Sequence, residues 1–174
     1  MEHAINEIKV QAKKLLQAKK SNKLVAKRLE KQFLKITLHT DQSWQLKHCL
    51  LVIARDLGFQ SWQEAQQVLS GQENSFENTN FGSIFYPSQC FAFINEWFST
   101  YEEAQEVLIA ATTKKWLLPY KFQYFLVEQD YIDALGLSVD ACHMTQKINR
   151  DFVLGYNTET WDSLVCDVIR ARSL

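Results

Sequence analysis

A group of basic and imidazole side chains, Lys47, His48 and Arg55, interrupts a strongly apolar helical pattern. His48 and Arg55 are seven positions apart, which places them on one helix face, two turns from each other. Such groups could bind an anion, either a phosphate or a partner's carboxylate. The alternative, which we prefer, is structural: Arg55 pairs with an acidic residue elsewhere, and His48 bonds a backbone carbonyl.

Other residues capable of chemistry lack the spacing that chemistry needs. The histidines show no HxxxH or HExxH pattern, and the cysteines show no CxxC, so we predict reduced thiols and no metal site; these residues are His3, His39, His48, His143, Cys49, Cys90, Cys142 and Cys166. The chain has no GxSxG, P-loop or GxGxxG motif. We therefore predict no catalytic residue and no cofactor, and an enzyme is the less favoured hypothesis.

The basic and acidic residues of the chain are unevenly distributed. Residues 1–55 hold 12 Lys and Arg against 4 Asp and Glu, whereas residues 56–174 hold 7 against 16. A basic N-terminal half can bind nucleic acid or an acidic partner, or it can be a solvated helix face lying on an acidic body. The candidate contacts for such a partner are Lys13, Lys14, Lys20, Lys23, Lys27 and Arg28.

The N-terminal half has the apolar spacing of amphipathic helices. Stripes at three- and four-residue intervals predict helices over 3–20, 22–36, 44–57 and 62–71. Ser43 or Asp41 is the predicted cap of the third helix. The third stripe is apolar around most of its circumference, which is typical of a helix buried among others. Gly58 is placed to end that helix, and Ser61 with Glu64 forms a capping box that starts the next one. We expect a bundle of about four helices.

The segment LKHCLLVIARDLGFQSWQEAQQVL resembles a short helical module of bacterial proteins with the pattern L-x-H-x(4)-[VI]-A-R-x-x-G-F-x-S-W. The matching positions are Leu46, His48, Ile53, Ala54, Arg55, Gly58, Phe59, Ser61 and Trp62. That module precedes ankyrin repeats and occurs in proteins related to the glyoxalase superfamily. The remainder of the chain is similar to small uncharacterised proteobacterial proteins. The resemblance implies helix-turn-helix geometry. The glyoxalase activity is not carried over, because the chain has too few strand-like runs for that metal-centred fold.

The second half mixes strand and helix patterns. Residues 72–88 are polar and rich in Asn and Ser, and we predict a linker there. Residues 90–98 fit either a strand or a helix capped by Ser88, and their aromatic content favours the strand. Residues 122–127 are apolar on both faces, which predicts a central strand. Capping residues predict helices beginning near Thr100, at Asp130, and at either Asn157 or Thr158.

Aromatic residues are concentrated in one part of the chain. Fifteen of the 22 fall between residues 76 and 131. We favour a packed aromatic core over a ligand cleft. If there is a cleft, its candidate residues within 85–131 are Trp97, Tyr120 and Tyr124.

Together these patterns predict an α+β protein that is predominantly α-helical. We expect a basic helical module at 1–71, a linker at 72–88 and an aromatic-rich acidic part at 89–174 with two or three strands and two or three helices, packed with the first as one globular unit. The N-terminus has no signal-peptide pattern and no run could span a bilayer, so we expect a cytoplasmic protein without a membrane partner.

For function, we expect a non-catalytic binding or adaptor protein of the bacterial cytoplasm that engages nucleic acid or an acidic partner through its basic helices. The alternative is a small enzyme or ligand-binding domain with an aromatic-lined pocket in residues 85–131. A helical hairpin with an apolar stripe can also dimerise, so a homodimer stays open.

Overall fold

The computed structural model describes residues 2–21, 44–72, 76, 78–137 and 144–172, without the side chains of residues 19–21. Its helices are α1 (His3–Ser21), α2 (Leu46–Asp56), α3 (Trp62–Leu69), α4 (Tyr101–Ala110), α5 (Gln129–Ala134) and α6 (Glu159–Ala171). Its strands are β1 (Glu96–Phe98), β2 (Trp116–Tyr120) and β3 (Gln123–Val127). The prediction of a mainly helical α+β fold is confirmed. The helix predicted at 22–36 lies outside the described residues. Two predicted caps were wrong: Gln45, rather than Ser43 or Asp41, precedes α2, and Glu128 precedes α5, so Asp130 lies inside that helix.

Helix α1 contacts both α2 and α6 along its length. Its buried residues are Ala4, Ile5, Ile8, Ala12 and Leu15, one stripe at helical spacing. Burying each larger aliphatic side chain contributes about 1.5–3 kcal/mol. The opposite face, with Lys13 and Lys14, is exposed. The apolar stripe that predicted this helix is therefore the face that it buries.

The turn between α2 and α3 follows the predicted motif. Gly58 has a φ of +86°, and Phe59 beyond it is buried. The Ser61 hydroxyl accepts a hydrogen bond from the Glu64 amide at 3.0 Å, which is the expected N-cap. The Glu64 carboxylate reaches the amide of Gln60 at 2.6 Å, one residue earlier than the capping box predicts. Both side chains thus secure the start of α3.

The sheet is antiparallel, with β3 between β1 and β2. The prediction of a central strand at 122–127 is confirmed. One face of the sheet joins the main core, and the other packs against α4; the two sets are Trp116, Leu118, Phe125 and Val127 on the first face and Leu117, Tyr124 and Leu126 on the second. Pro119 is tolerated in β2 because β2 is an edge strand of this sheet.

The segment 90–98, predicted as a strand, is a strand only at its end. A 3-10 turn, Ser88–Cys90, leads into this segment. The segment pairs with β3 only over Glu96–Phe98. Ile94 is fully exposed and Phe91 is 61% exposed, so the apolar residues do not alternate into the core. The prediction was wrong for residues 90–95, since aromatic content indicated burial that the tertiary packing does not provide.

Residues 79–90, within and just after the interval predicted as a linker, contribute to the core. Phe81, Ile84 and Phe85 are buried in the same cluster as side chains of α1 and α6. The backbone of this segment bonds to distant turns: Ser83 donates to the Leu57 carbonyl at 2.6 Å, and Phe81 donates to the Lys121 carbonyl at 3.1 Å. Its irregular backbone is therefore satisfied inside the protein. Hereafter we call residues 79–90 the core loop.

Candidate functional site

The core loop lies beside the ends of three secondary-structure elements, and together they enclose one cleft. These ends are the C-terminus of α2, the tip of the β2–β3 hairpin and the C-terminus of α6. The cleft has a volume of about 670 Å³, which is in the range of small-molecule sites. The residues that define it chemically are Asp56, Ser83, Tyr86, Tyr120, Lys121 and Arg172.

The approach of the core loop to the end of α2 depends on two glycines with positive φ, Gly58 and Gly82. A Cβ atom on Gly58 would lie 2.5 Å from the Ser83 nitrogen, which is far inside van der Waals contact. A Cβ atom on Gly82 would overlap the Leu57 carbonyl oxygen. Only glycine allows the two backbones to come this close, and their contact forms the floor of the cleft.

Lys121, at the hairpin tip, has a φ of 52°, an uncommon conformation for a residue with a side chain. Two backbone hydrogen bonds hold it there: its amide donates to Gly82 at 2.8 Å, and its carbonyl accepts from Phe81 at 3.1 Å. Its ammonium group lies 5.2 Å from the centre of the Tyr120 ring. The core loop thus fixes the backbone that carries this cation at the cleft.

Arg172 follows the last residue of α6 and is mostly buried. Its guanidinium donates a hydrogen bond to the Ser83 carbonyl. Burial lowers the pKa of Arg172 to about 10, against the opposing effect of the Asp56 charge. The group remains charged at neutral pH. Among the described ion pairs, none within 4.0 Å joins Asp56 and Arg172.

Aromatic rings form one wall of the cleft. The Tyr86 ring centre lies 5.2 Å from that of Tyr120 and 5.0 Å from that of Phe91. Trp97 packs behind them, with ring centres 5.3 Å from Tyr86 and 5.6 Å from Tyr120. These rings touch one another, so they make a continuous wall rather than an open cage.

The structure brings together two of the three aromatic residues predicted to line a pocket. Trp97 and Tyr120 belong to the same ring cluster beside the cleft. Tyr124 lies on the opposite sheet face, where its ring centre is 5.8 Å from that of Tyr101. Alternation along the hairpin separates Tyr120 from Tyr124, because Tyr124 is paired with Pro119 rather than with Tyr120.

The basic residues predicted as an anion site do not form one site with the cleft. Lys47 and Arg55 are exposed on α2. His48 is half-buried near the start of α2, and its Nδ1 atom accepts a hydrogen bond from the Gln45 amide at 3.2 Å, whereas we expected a bond to a carbonyl. Lys13 and Lys14 are exposed, while the side chains of the remaining candidates lie outside the described residues: Lys20, Lys23, Lys27 and Arg28.

The charged residues of the cleft were not among the sequence candidates. Asp56, Lys121 and Arg172 belong to no motif and to no pattern of spacing that indicates a binding site. The useful signal was glycine, since a left-handed Gly58 implies a close backbone approach. Nothing in the sequence says which segment approaches it.

A second buried polar group lies on the other sheet face and is structural. The Asp151 carboxylate accepts hydrogen bonds from the Tyr101 hydroxyl at 2.7 Å and from the amides of Val153 and Leu154, each at 2.9 Å. These bonds tie α4 to the turn that runs beside β2. These three hydrogen bonds all come from the protein itself and satisfy the carboxylate within the fold.

Over the described ranges, no three His, Cys, Asp or Glu side chains are grouped to hold a metal ion. No helix in those ranges has the length and apolarity needed to cross a membrane. Comparison of the chain with protein-family models, curated proteins and solved structures finds no match.

Proposed function

We propose that the protein is a non-catalytic binding protein whose cleft holds a small organic ligand with a carboxylate and a flat apolar part. The observation that carries this proposal is the presence of two cations, Lys121 and Arg172, beside an aromatic wall in a cleft of about 670 Å³. Carboxylates are bound by ammonium and guanidinium groups, and flat apolar groups pack on rings.

The side chains that line the cleft favour binding over catalysis. Its polar side chains are two cations, a carboxylate, hydroxyls and an amide; the residues other than glycine, proline and alanine are Asp56, Ser83, Tyr86, Ser88, Gln89, Phe91, Tyr120, Lys121 and Arg172. There is no histidine or cysteine among them to act as a base or nucleophile near neutral pH. The Ser83 carbonyl holds the Arg172 guanidinium, and the core loop holds the backbone of Lys121, so both cations are positioned before a ligand binds.

A titration with 3-phenylpropanoate, monitored by nuclear magnetic resonance, tests this proposal. We expect chemical shift changes centred on the amides of Gly58, Ser83 and Lys121. Lys121→Asn should weaken binding about tenfold, since a hydrogen bond to a charged group contributes about 1.5–3 kcal/mol. Asparagine suits this position because it accepts a positive φ.

Lys47→Asn is the matched control, since it removes an exposed lysine at the other end of α2. It should leave the affinity unchanged. Binding that is lost in Lys47→Asn and retained in Lys121→Asn would move the anion site to the predicted Lys47, His48 and Arg55 group. Absence of any saturable shift change in the wild-type protein would overturn the proposal.

Binding of nucleic acid or an acidic partner through the basic N-terminal helices stays a prediction. Among the described residues, the exposure of Lys13 and Lys14 on α1 supports it. A salt titration of binding to duplex and single-stranded DNA tests it, because phosphate contacts weaken steeply as salt rises.

A further inference from the structure

The side chains that face the cleft include charges of both signs, with one more positive than negative. Lys121 and Arg172 contribute two positive charges, and Asp56 contributes a negative one. The structure gives neither the Lys121 ammonium nor the Asp56 carboxylate an ion-pair partner within 4.0 Å among the described residues. Lys121 contacts the Tyr120 ring, and Asp56 acts on Arg172 without forming an ion pair, so a ligand can still form an ion pair with each of these two charges.

Two helix ends shift this balance further towards neutrality. Both α2 and α6 end at the cleft, at Asp56 and Ala171. The C-terminal end of a helix carries about half a negative elementary charge. Two such ends offset about one positive charge, so the cleft as a whole is close to neutral and disfavours a dianion.

We infer that the ligand is a zwitterion, an α-amino acid with an aromatic or large apolar side chain. This inference rests on the proposed function and names its ligand class. Asp56 and the helix ends bind the ammonium group, Lys121 and Arg172 bind the carboxylate, and Tyr86, Phe91 and Tyr120 pack against the side chain.

Asp56 is the residue that sets this specificity. It is exposed at the last position of α2, so its carboxylate is accessible to a ligand. A carboxylic acid without an amino group would place a second negative charge beside Asp56. An amine without a carboxylate would leave Lys121 and Arg172 without a negatively charged partner from the ligand. Only a ligand with both groups satisfies all three side chains.

Four probes that share one benzene ring separate the charge classes: L-phenylalanine, 3-phenylpropanoate, 2-phenylethylammonium and phenyl phosphate. Calorimetric titrations at pH 7.5 should give the highest affinity for L-phenylalanine, with 3-phenylpropanoate at least about tenfold weaker, the value of one charge-assisted hydrogen bond. Phenyl phosphate, a dianion, should bind more weakly than 3-phenylpropanoate.

Asp56→Asn is the decisive variant. It removes a negative charge from a helix C-terminus, which favours the helix, so the protein should remain folded. We expect the roughly tenfold preference for L-phenylalanine over 3-phenylpropanoate to disappear, with 3-phenylpropanoate binding at least as tightly as before. Glu102→Gln, an exposed acid on α4, is the control and should leave the preference intact.

The outcomes separate this inference from the proposed function. Equal binding of L-phenylalanine and 3-phenylpropanoate, unchanged in Asp56→Asn, would overturn the zwitterion and leave the cleft as a carboxylate site. Tighter binding of phenyl phosphate than of either would also overturn it. Binding of none of the four probes would overturn the proposed function itself.

Discussion

The side chain of Asp162 caps the helix that begins 159 positions earlier, at His3. Its two carboxylate oxygens accept hydrogen bonds from the His3 amide at 2.9 Å and the Ala4 amide at 3.0 Å. Helix α1 has no acidic residue in its own first turn. The wholly buried Asp162 supplies the missing acceptor from the first turn of α6, and so joins the two ends of the described chain.

Replacing Asp162 by alanine should destabilise the protein by about 3 kcal/mol, since the buried Ala4 amide and the partly buried His3 amide both lose their acceptor. Asp162→Asn, which keeps one oxygen, should lose less. Urea unfolding measures both. Asp167→Ala is the control on the same helix: its ion pair with Arg170 is partly exposed, and its loss should cost less than about 1 kcal/mol. Equal losses for the two alanine variants would contradict the capping role of Asp162.

Gly58→Ala should be strongly destabilising, by about 2–4 kcal/mol. The new methyl group would overlap the Ser83 backbone, and alanine would have to adopt a φ of +86°. Thermal unfolding followed by circular dichroism is the measurement. Gln60→Ala, an exposed position in the same turn, should change little. A Gly58→Ala protein as stable as wild type would mean that the core loop can move away from α2.

Lys121→Asn should be more stable than Lys121→Ala by about 0.5–1 kcal/mol, because asparagine tolerates a left-handed backbone and alanine does not. Both variants lose the same charge, so the difference between their free energies of unfolding reports the cost of the left-handed backbone at this position. Chemical denaturation at neutral pH gives the two values. Identical stabilities would show that the hairpin tip relaxes from the φ of 52° seen in the structure.

Burial raises the pKa of Asp151 despite the hydrogen bonds from Leu154, Tyr101 and Val153 that favour its charged form. The folded protein therefore holds this proton more tightly than the unfolded chain does. The resulting stabilisation is complete below the usual pKa of an aspartate and is lost as pH rises through the folded value.

The stability difference between wild type and Asp151→Asn should accordingly be largest below the usual pKa of an aspartate, about 3.9, and fall as pH is raised above it. Urea titrations at several pH values measure it. In Tyr101→Phe, which removes one donor to the carboxylate, the same decline should extend to higher pH. If the stability difference between wild type and Asp151→Asn instead grows with pH, hydrogen bonding rather than burial has the larger effect on the pKa of Asp151.

Helices were predictable here because their signals are local. The stripe of α1 and the caps at Ser61, Thr100 and Thr158 lie within a few residues of the helices they start, and each cap accepts the expected backbone amide. The central strand was predictable because both of its faces are apolar. Residues 90–95 were not, since a strand needs a partner in register and β3 offers one only to Glu96–Phe98.

The sequence by itself determined most of the described helices, the capped starts at Ser61, Thr100 and Thr158, and the left-handed turn at Gly58. Only the tertiary structure decided the cleft, because Asp56, Ser83, Lys121 and Arg172 come from four separate segments. Their meeting depends on backbone hydrogen bonds among Leu57, Ser83 and Lys121 and their neighbours in the core loop. Such bonds use groups that every residue carries, so they leave no trace in residue types beyond the glycines that make room for them.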